Sequence, residues 1–218
     1  MAAMYKKASA VIPAFNEAKT IEAIVRVVRG VRCVEEIIVV DDGSGDGTGN
    51  TAQRAGARVI SLKENAGKGK AMIRGVEAAA HPVLLFLDAD LLGLKQKHIQ
   101  SLLDPVLAGE YDMVVGVIDR GEAMNDINRF FEAPFSGIRA LKKDLWEAVP
   151  RELKSGYLVD SAISVSADKK NMRVLKITLQ GVKNSPKTRK RGLFRGIVSW
   201  IRMWVEIAYK SVLFFTVK

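Results

Sequence analysis

Short apolar runs alternate with amphipathic stretches through the first half of the chain. Apolar residues recur at helical spacing at positions 21, 24, 25 and 28, and again at 99, 102, 103, 106 and 107. The stretches 48–55 and 70–80 also have helical character. Apolar runs of strand length lie between these segments, and the pattern predicts strands at 8–12, 37–40, 59–62, 83–87 and 113–117.

This alternation of strands and helices predicts an α/β fold. Strands that are apolar on both faces indicate a mainly parallel sheet that is flanked by helices on each side. In such sheets, ligands bind beyond the carboxyl ends of the strands. The residues that carry chemistry are therefore expected directly after positions 12, 40 and 87.

The alternation weakens beyond residue 118. The segment 119–135 is polar and aromatic without a clear period and predicts a loop that closes over a ligand. Strands are predicted at 138–141 and 173–179, with helices up to Val149 and at 161–169. Residues 193–217 predict an amphipathic helix, since Arg202, Glu206 and Lys210 fall on one stripe. The expected organisation is one domain at 1–192 and a C-terminal amphipathic helix at 193–218.

Composition and charge narrow the class of protein. The chain has 218 residues, of which 48% are hydrophobic, so it is able to bury a core. A single cysteine, Cys33, excludes an internal disulfide and fits a reducing cytosol. We find neither a signal peptide nor an uncharged span of about 18 residues, and expect a cytoplasmic location. The net charge is +10, and a basic cluster between Lys183 and Arg195 is suited to phosphate, acidic lipid or nucleic acid.

Glycine-rich and acidic loops follow the predicted strands. Residues 13–17 read Pro-Ala-Phe-Asn-Glu, residues 41–48 read Asp-Asp-Gly-Ser-Gly-Asp-Gly-Thr, and residues 65–70 read Asn-Ala-Gly-Lys-Gly-Lys. Glycines permit close approach of a ligand, and backbone amides near a helix start hold phosphate oxygens. A calcium loop is disfavoured at 42–53, because its last position is Gln53 instead of the required Glu. The third loop lacks the spacing of a Walker P-loop.

Asp88 and Asp90 follow the fourth predicted strand and are separated by Ala89. Two carboxylates that emerge from a hydrophobic strand are costly unless they bind something. Hard divalent cations take oxygen ligands and share them with phosphates, and they neutralise charge on a departing diphosphate. All of these loops are predicted at one edge of one sheet, which indicates a metal-assisted nucleotide site.

Together these motifs resemble those of family 2 glycosyltransferases with the GT-A fold. The resemblance covers residues 8–118 and lies in the runs at 11–17, 39–48, 65–69 and 88–90, which have the family's order and spacing. Within the family, the chain looks like the short polyprenyl-phosphate and glycerate-type sugar transferases. The resemblance implies a Rossmann-like GT-A domain with a nucleotide-sugar half at 8–118 and an acceptor half at 119–192. It also implies inversion at the anomeric carbon and Mg²⁺ or Mn²⁺ as cofactor.

The resemblance also implies roles for individual residues. A UDP- or GDP-linked sugar would be the donor, and matching positions imply contacts with it for Pro13, Ala14, Glu17, Asp41, Asp42, Lys68 and Asp88. Asp41 or Asp42 would face the base, and Lys68 the nucleotide. Asp88 would lie near the ribose or sugar. Asp90 would be the metal ligand, with Asp88 beside it.

The second half of the chain carries the acceptor-side predictions. Residues 136–141, Ser-Gly-Ile-Arg-Ala-Leu, look like the family's acceptor-side strand, and Asp160 falls where the family places an acid at a helix start. For a hydroxyl acceptor, Asp160 is the candidate base, and helix capping is its alternative role. A phosphate acceptor needs no base. Acceptor binding is predicted for Ser136, Arg139, Lys187, Arg189 and Arg191.

Two acceptors fit these features. The aromatic and basic residues of 193–217 favour a polyprenyl phosphate or another lipid, with the protein peripheral on the cytoplasmic face of the membrane. The alternative is a soluble transferase with a small phosphorylated acceptor such as a phosphoglycerate. A nucleic-acid-binding module is disfavoured because the acidic strand ends would repel a phosphate backbone. A sugar nucleotidyltransferase is disfavoured because its glycine-rich signature after the first strand is absent.

Overall fold

The computed structural model describes residues 7–119 and 136–185. Its secondary structure follows the predicted alternation. In chain order the elements are β1 (Ala8–Ala14), α1 (Ile21–Arg29), β2 (Val34–Asp41), α2 (Thr48–Ala55), β3 (Arg58–Ser61), α3 (Lys68–Ala78), β4 (Val83–Phe86), β5 (Leu91–Leu92), α4 (Gln96–Leu107), β6 (Met113–Ile118), β7 (Arg139–Lys142), α5 (Lys143–Ala148), α6 (Val159–Lys169), β8 (Val174–Leu179) and β9 (Lys183–Asn184), with 3₁₀ turns at Arg151–Leu153 and Gly156–Leu158.

Seven of these strands form one sheet in the order β3-β2-β1-β4-β7-β6-β8. β1 pairs in parallel with β2 and β4, and β6 pairs in parallel with β8, whereas β7 is antiparallel to both of its neighbours. The predicted α/β class with a mainly parallel sheet is confirmed. Strand order reverses between β1 and β4, because β2 and β3 add on one side of β1 and β4 returns to the other. Ligands of open α/β sheets bind at such a switch point.

An apolar layer covers each face of the sheet. Ile12 of β1 shares one buried cluster with Ile24 of α1, and α4 contributes to the same layer. The neighbouring Val11 lies in a second cluster with Met72 of α3 and Ile163 of α6. Burial of one such side chain contributes about 1.5–3 kcal/mol. These layers therefore make the sheet a firm support for the loops at its carboxyl edge.

Glycines define the start of the two helices nearest the site. Gly47 precedes α2 with a φ of +84°, and Gly67 precedes α3 with a φ of +91°, conformations that favour glycine. α3 begins at Lys68, two residues before the start expected from the apolar pattern. This shift matters because it places Lys68 in the first turn of a helix at the sheet edge.

The structure differs from the sequence predictions in two further places. β5 and β9 form a separate two-stranded antiparallel sheet that the sequence did not indicate. α6 begins at Val159, so that Asp160 lies inside its first turn. The predicted loop at 119–135 and the predicted helix at 193–218 lie outside the described residues, except for Asp119. Within the described ranges, none of the helices has the length and apolar character needed to cross a membrane.

Candidate functional site

The carboxyl ends of β1, β2 and β4 meet at the switch point. Ala14 is in register with Asp41, and the amide of Asp42 donates to the carbonyl of Ala14 over 2.8 Å. β4 ends at Phe86, so Asp88 emerges on the other side of β1. The structure therefore brings together the loops after β1, β2 and β4, which are three of the four loops that the sequence placed at one sheet edge. Pro13 and Ala14 are the last residues of β1 and border this region.

Asp41 and Asp42 are both buried and both organise neighbouring loops. The carboxylate of Asp42 accepts hydrogen bonds from the amides of Ala66, at 2.8 Å, and Gly67, at 2.9 Å. Asp41 accepts a hydrogen bond from the amide of Ser44 at 3.0 Å. These bonds fix the loop before α3 and the glycine-rich loop after β2. Contact of either carboxylate with a nucleotide base stays a prediction.

Polar side chains that the sequence did not single out join the loops after β1 and β2. The amide of Asn16 donates to Ser44 Oγ at 2.9 Å, and the amide of Glu17 donates to Thr48 Oγ1 at 2.8 Å. Thr20 Oγ1 donates to the carbonyl of Ala89 at 2.6 Å. Glu17, which is predicted to contact the nucleotide sugar, is thus hydrogen-bonded to the first residue of α2. The turn Asp88-Ala89-Asp90 is hydrogen-bonded to Thr20, directly before α1. The sequence signal for the first two contacts is the Ser and Thr content of the glycine-rich loop, whereas Thr20 lies outside that loop.

Lys68 lies at the centre of the site. Its Nζ atom donates to Asp88 Oδ1 at 2.8 Å and to Asp160 Oδ2 at 2.7 Å. The side chain of Asp160 is 3% exposed, whereas that of Asp88 is 27% exposed, so the cluster runs from the protein interior to the site surface. One ammonium therefore links the end of β4 to the first turn of α6.

Gly137, in the segment before β7, borders this cluster. A Cβ atom at this position would collide with Lys68 Nζ and would lie 2.6 Å from Asp88 Oδ2. Because residue 137 has no side chain, the backbone before β7 is able to approach the ion pair this closely. A larger residue at this position would displace the ends of the Lys68 and Asp88 side chains.

Burial and neighbouring charges determine the protonation of Lys68 and Asp160. Burial alone would lower the pKa of Lys68, but the carboxylates of Asp160 and Asp88 outweigh burial and raise that pKa above its ordinary value. Burial raises the pKa of Asp160, and the neighbouring Lys68 and Arg139 oppose this rise. Lys68 is therefore a cation at neutral pH, held between two acidic side chains.

The carboxylate oxygens at the Asp-Ala-Asp turn are suitable ligands for a hard divalent cation. Asp88 and Asp90 supply carboxylate oxygens one residue apart, and Asp90 is 6% exposed. Within residues 7–119 and 136–185, no group of three or more His, Cys, Asp and Glu residues forms a closed metal site. Mg²⁺ and similar cations are commonly held by one or two carboxylates and complete their coordination with phosphate and water oxygens. The turn is suited to a cation that binds together with a phosphorylated ligand.

Arg139 is placed differently from the expectation that it contacts the acceptor. The residue has 0% exposure, and its guanidinium donates to the carbonyl of Ser136, to the carbonyl of Asp160 and to Ser164 Oγ. Burial lowers the pKa of Arg139, which Asp160 and Asp88 oppose, and the guanidinium stays charged. Its donors are thus taken up within the protein. The other predicted acceptor residues Lys187, Arg189 and Arg191 lie outside the described residues.

The family of the chain follows from comparison with known proteins. The model of glycosyl transferase family 2 matches residues 9–165, a range that contains Lys68, Asp88, Asp90 and Asp160. The chain belongs to this family, in agreement with the resemblance of its motifs.

Two curated relatives illustrate the range of the match. The glycosyltransferase AglD of Haloferax volcanii is 30% identical over 199 residues, which cover 76% of this chain and 31% of AglD. The glucosyl-3-phosphoglycerate synthase of Mycobacterium tuberculosis is 35% identical over 111 residues, which cover 47% of this chain and 34% of that enzyme. The chain thus aligns with about one third of the length of each relative.

Solved structures of the mycobacterial synthase have the same fold. Its complex with Mn²⁺, uridine diphosphate and glucosyl-3-phosphoglycerate superimposes with a TM-score of 0.71 at 27% identity, covering 87% of this chain and 74% of that one. Its complex with Mg²⁺ and uridine diphosphate gives a TM-score of 0.72. The predicted GT-A architecture is confirmed by these similarities.

Proposed function

We propose that the protein is a glycosyltransferase that moves a sugar from a nucleoside diphosphate donor to a small phosphorylated acceptor of the phosphoglycerate type. The observation that carries the proposal is the bridge from Lys68 to Asp88 and Asp160 at the switch point of the sheet. The bridge joins the acid expected at the sugar to the acid expected at the acceptor. The mycobacterial synthase, solved with uridine diphosphate and glucosyl-3-phosphoglycerate, supports uridine diphosphate and a phosphoglycerate as first candidates.

The donor would lie across the ends of β1 and β2. Hydrogen bonds join the loops after β1 and β2 to each other, and Asp42 holds the loop before α3, so these loops are ordered without a donor. Loops that are already ordered lower the cost of binding. The residues proposed to contact the nucleotide sugar are Pro13, Ala14, Glu17, Asp41, Asp42, Lys68 and Asp88.

Asp88 and Asp90 would hold Mg²⁺ or Mn²⁺ together with the diphosphate of the donor. Such a cation neutralises negative charge on the leaving diphosphate. Lys68 Nζ lies 2.8 Å from Asp88 Oδ1. Its ammonium is proposed to move from the two carboxylates towards the diphosphate when the donor binds.

Asp160 is the proposed base for a hydroxyl acceptor. In the structure, its Oδ2 atom accepts a hydrogen bond from Lys68, and a carboxylate in that state is a poor proton acceptor. Movement of Lys68 towards the donor would free the oxygen. The acceptor oxygen then attacks the anomeric carbon, its proton passes to Asp160, and the bond between that carbon and the diphosphate oxygen breaks with inversion.

The phosphate of the acceptor is proposed to bind the basic residues Lys187, Arg189 and Arg191. Ser136 would join them once its hydroxyl leaves the carbonyl of Gly116, to which it donates in the structure. The positive charge of these three basic residues supports this proposal, because a phosphate is an anion. The lipid acceptor that the sequence favoured depends on residues 193–217, which lie outside the described ranges.

A thermal-shift screen followed by a transfer assay tests the proposal. The purified chain would be melted with UDP, GDP, CDP or dTDP, each with Mn²⁺ and with EDTA. We expect one diphosphate to raise the melting temperature with Mn²⁺ only, because binding to the native state stabilises it. Matching nucleotide sugars would then be incubated with 3-phosphoglycerate or with polyprenyl phosphate in vesicles. A glycosylated phosphoglycerate supports the proposal, whereas product only with the vesicles would restore the lipid acceptor. No shift with any nucleotide would contradict the donor site.

A further inference from the structure

Arg139 lies beside the proposed base Asp160, and its charged side chain has no exposed surface. Its Nε atom donates to the carbonyl of Ser136 at 3.0 Å, and Nη2 donates to the same carbonyl. Nη1 donates to the carbonyl of Asp160 at 2.9 Å and to Ser164 Oγ at 3.3 Å. Each of the three guanidinium nitrogens is therefore occupied by the protein itself. An acceptor phosphate would reach Arg139 only after these bonds break.

These bonds connect the two segments that frame Asp160. Ser136 lies before β7, and its hydroxyl donates to the carbonyl of Gly116 in β6 at 2.6 Å. Asp160 and Ser164 lie in consecutive turns of α6, and Ser164 Oγ donates to the carbonyl of Asp160 at 3.2 Å. Arg139 thus fastens the start of α6 to the edge of the sheet where Gly137 contacts Lys68 and Asp88.

The link to the Asp160 carboxylate is electrostatic. Arg139 Nη2 lies 3.9 Å from Asp160 Oδ1, which is longer than a hydrogen bond. The Oδ2 atom of the same carboxylate points to Lys68. The guanidinium therefore holds the Asp160 backbone directly and biases which carboxylate oxygen faces the site.

We infer that Arg139 is a positioning residue, which fixes Asp160 by holding its carbonyl and leaves acceptor contact to other groups. This inference rests on the proposed function, in which Asp160 is the base. The planar fork of Arg is required because three donors must reach two carbonyls and a hydroxyl at once, and Lys has no such geometry. The role differs from acceptor binding in a measurable way, since a positioning residue alters turnover and leaves acceptor affinity intact.

The experiment compares Arg139→Lys and Ser164→Ala with Lys142→Met as matched control. Lys142 is on the same strand as Arg139, but its ammonium pairs with Asp112 away from the site. With the full chain, Mn²⁺, the donor found in the screen and 3-phosphoglycerate, kcat and the acceptor KM would be measured for each variant. We expect Arg139→Lys to lower kcat about 10- to 100-fold, because a misplacement near 1 Å costs on the order of 100-fold. Ser164→Ala should lower kcat about 2- to 10-fold, the value of one hydrogen bond.

The acceptor KM decides between the two roles. We expect it to stay within about twofold of wild type in both variants. A large rise in acceptor KM at unchanged kcat would overturn the positioning role and restore acceptor binding by Arg139. Wild-type kcat in Arg139→Lys would overturn it as well. Lys142→Met is expected to keep both constants near wild type.

Hydrogen exchange of the first turn of α6 gives a readout that does not depend on activity. We expect the amides of 159–164 to exchange faster in Arg139→Lys and in Ser164→Ala than in Lys142→Met. Exchange equal to wild type in both variants would overturn the inference even if the wild-type chain transfers no sugar. Absence of wild-type transfer with faster exchange in the variants would count against the proposed function alone, so the two failures are distinguishable.

Discussion

The carboxylate of Asp42 accepts the backbone amide of Gly67 at 2.9 Å, and this bond ties the end of β2 to the residue from which α3 starts. The amide of Ala66 donates to the other carboxylate oxygen at 2.8 Å. Lys68 follows directly, so its place between Asp88 and Asp160 depends on the same loop. One buried acid of the glycine-rich motif thus supports the cation at the centre of the site.

Replacement of Asp42 by Asn should therefore loosen the loop before α3. The amide group of Asn offers one acceptor where the carboxylate offers two, and it presents a donor to one of the two backbone N–H groups. We expect a loss of about 1–3 kcal/mol in the free energy of unfolding, with faster hydrogen exchange at Ala66 and Gly67. Urea unfolding and exchange measurements check this. The exposed Glu64→Gln variant serves as control, and exchange as slow as wild type in Asp42→Asn would contradict the role of Asp42.

Gly137 gives a second test of the central cluster. A methyl group in Gly137→Ala would enter the space of Lys68 Nζ and the Asp88 carboxylate, so that both side chains must move. We expect a destabilisation of about 1–3 kcal/mol, the usual cost of overpacking, and weaker binding of the diphosphate that responds in the thermal screen. Urea unfolding and titration calorimetry measure the two effects.

Gly45→Ala is the matched control for this substitution. A Cβ at Gly45 meets no heavy atom within 4 Å, and the residue retains its amide bond to Asn16. Its stability should stay within about 0.5 kcal/mol of wild type. Equal stability of Gly137→Ala and Gly45→Ala would show that the close approach at Gly137 does not matter.

Local pattern was sufficient to predict most of the fold. The helix at Thr48–Ala55 has the predicted bounds, and the strands at the sheet centre lie within two or three residues of theirs. Periodicity reports burial and not direction, which is why β7 was predicted as a strand without its antiparallel orientation. The two-residue strands β5 and β9 are too short to leave a periodic signal.

The sequence predicted the individual loops of the site but not the contacts between their side chains. The sequence placed Asp88 and Lys68 at one edge, but their bond to each other and to Asp160 joins residues 20 and 92 positions apart. Nothing local encodes such contacts. Arg139 was predicted to bind the acceptor because it lies in the run Ser-Gly-Ile-Arg-Ala-Leu at 136–141. Its paired burial is a tertiary feature that only the arrangement of β7 and α6 reveals.

The metal role of Asp90 is tested by removing one carboxylate. Asp90→Asn should abolish the stabilisation by nucleoside diphosphate that depends on Mn²⁺, because an amide is a weaker ligand for a hard cation than a carboxylate. The thermal shift of wild type and variant would be compared with Mn²⁺ and with EDTA. Glu110→Gln removes an exposed carboxylate away from the turn and should keep the shift. A normal metal-dependent shift in Asp90→Asn would exclude Asp90 as a ligand.

Asp112 makes the stability of the sheet depend on pH. It precedes β6 and pairs with Lys142, and it accepts the amide of Arg173 at 2.9 Å. Burial pushes the pKa of Asp112 upwards, but the bonds from Lys142 and Arg173 outweigh burial and lower it to about 2. A carboxyl whose folded pKa lies below its unfolded value of about 3.9 stabilises the fold above that value. The contribution is lost as the pH falls from about 4 to about 2.

Asp112→Asn should therefore lower the free energy of unfolding by about 2–3 kcal/mol at pH 7, because one pKa unit corresponds to about 1.4 kcal/mol. The difference in the free energy of unfolding between wild type and variant should shrink below pH 4. In that range the unfolded wild-type chain binds a proton at Asp112 more readily than the folded chain does. Urea unfolding of both proteins at pH 7, 5 and 3 measures this, and Lys142→Met should remove part of the same pH dependence. A difference that stays constant from pH 7 to pH 3 would mean that the ion pair of Asp112 does not stabilise the fold.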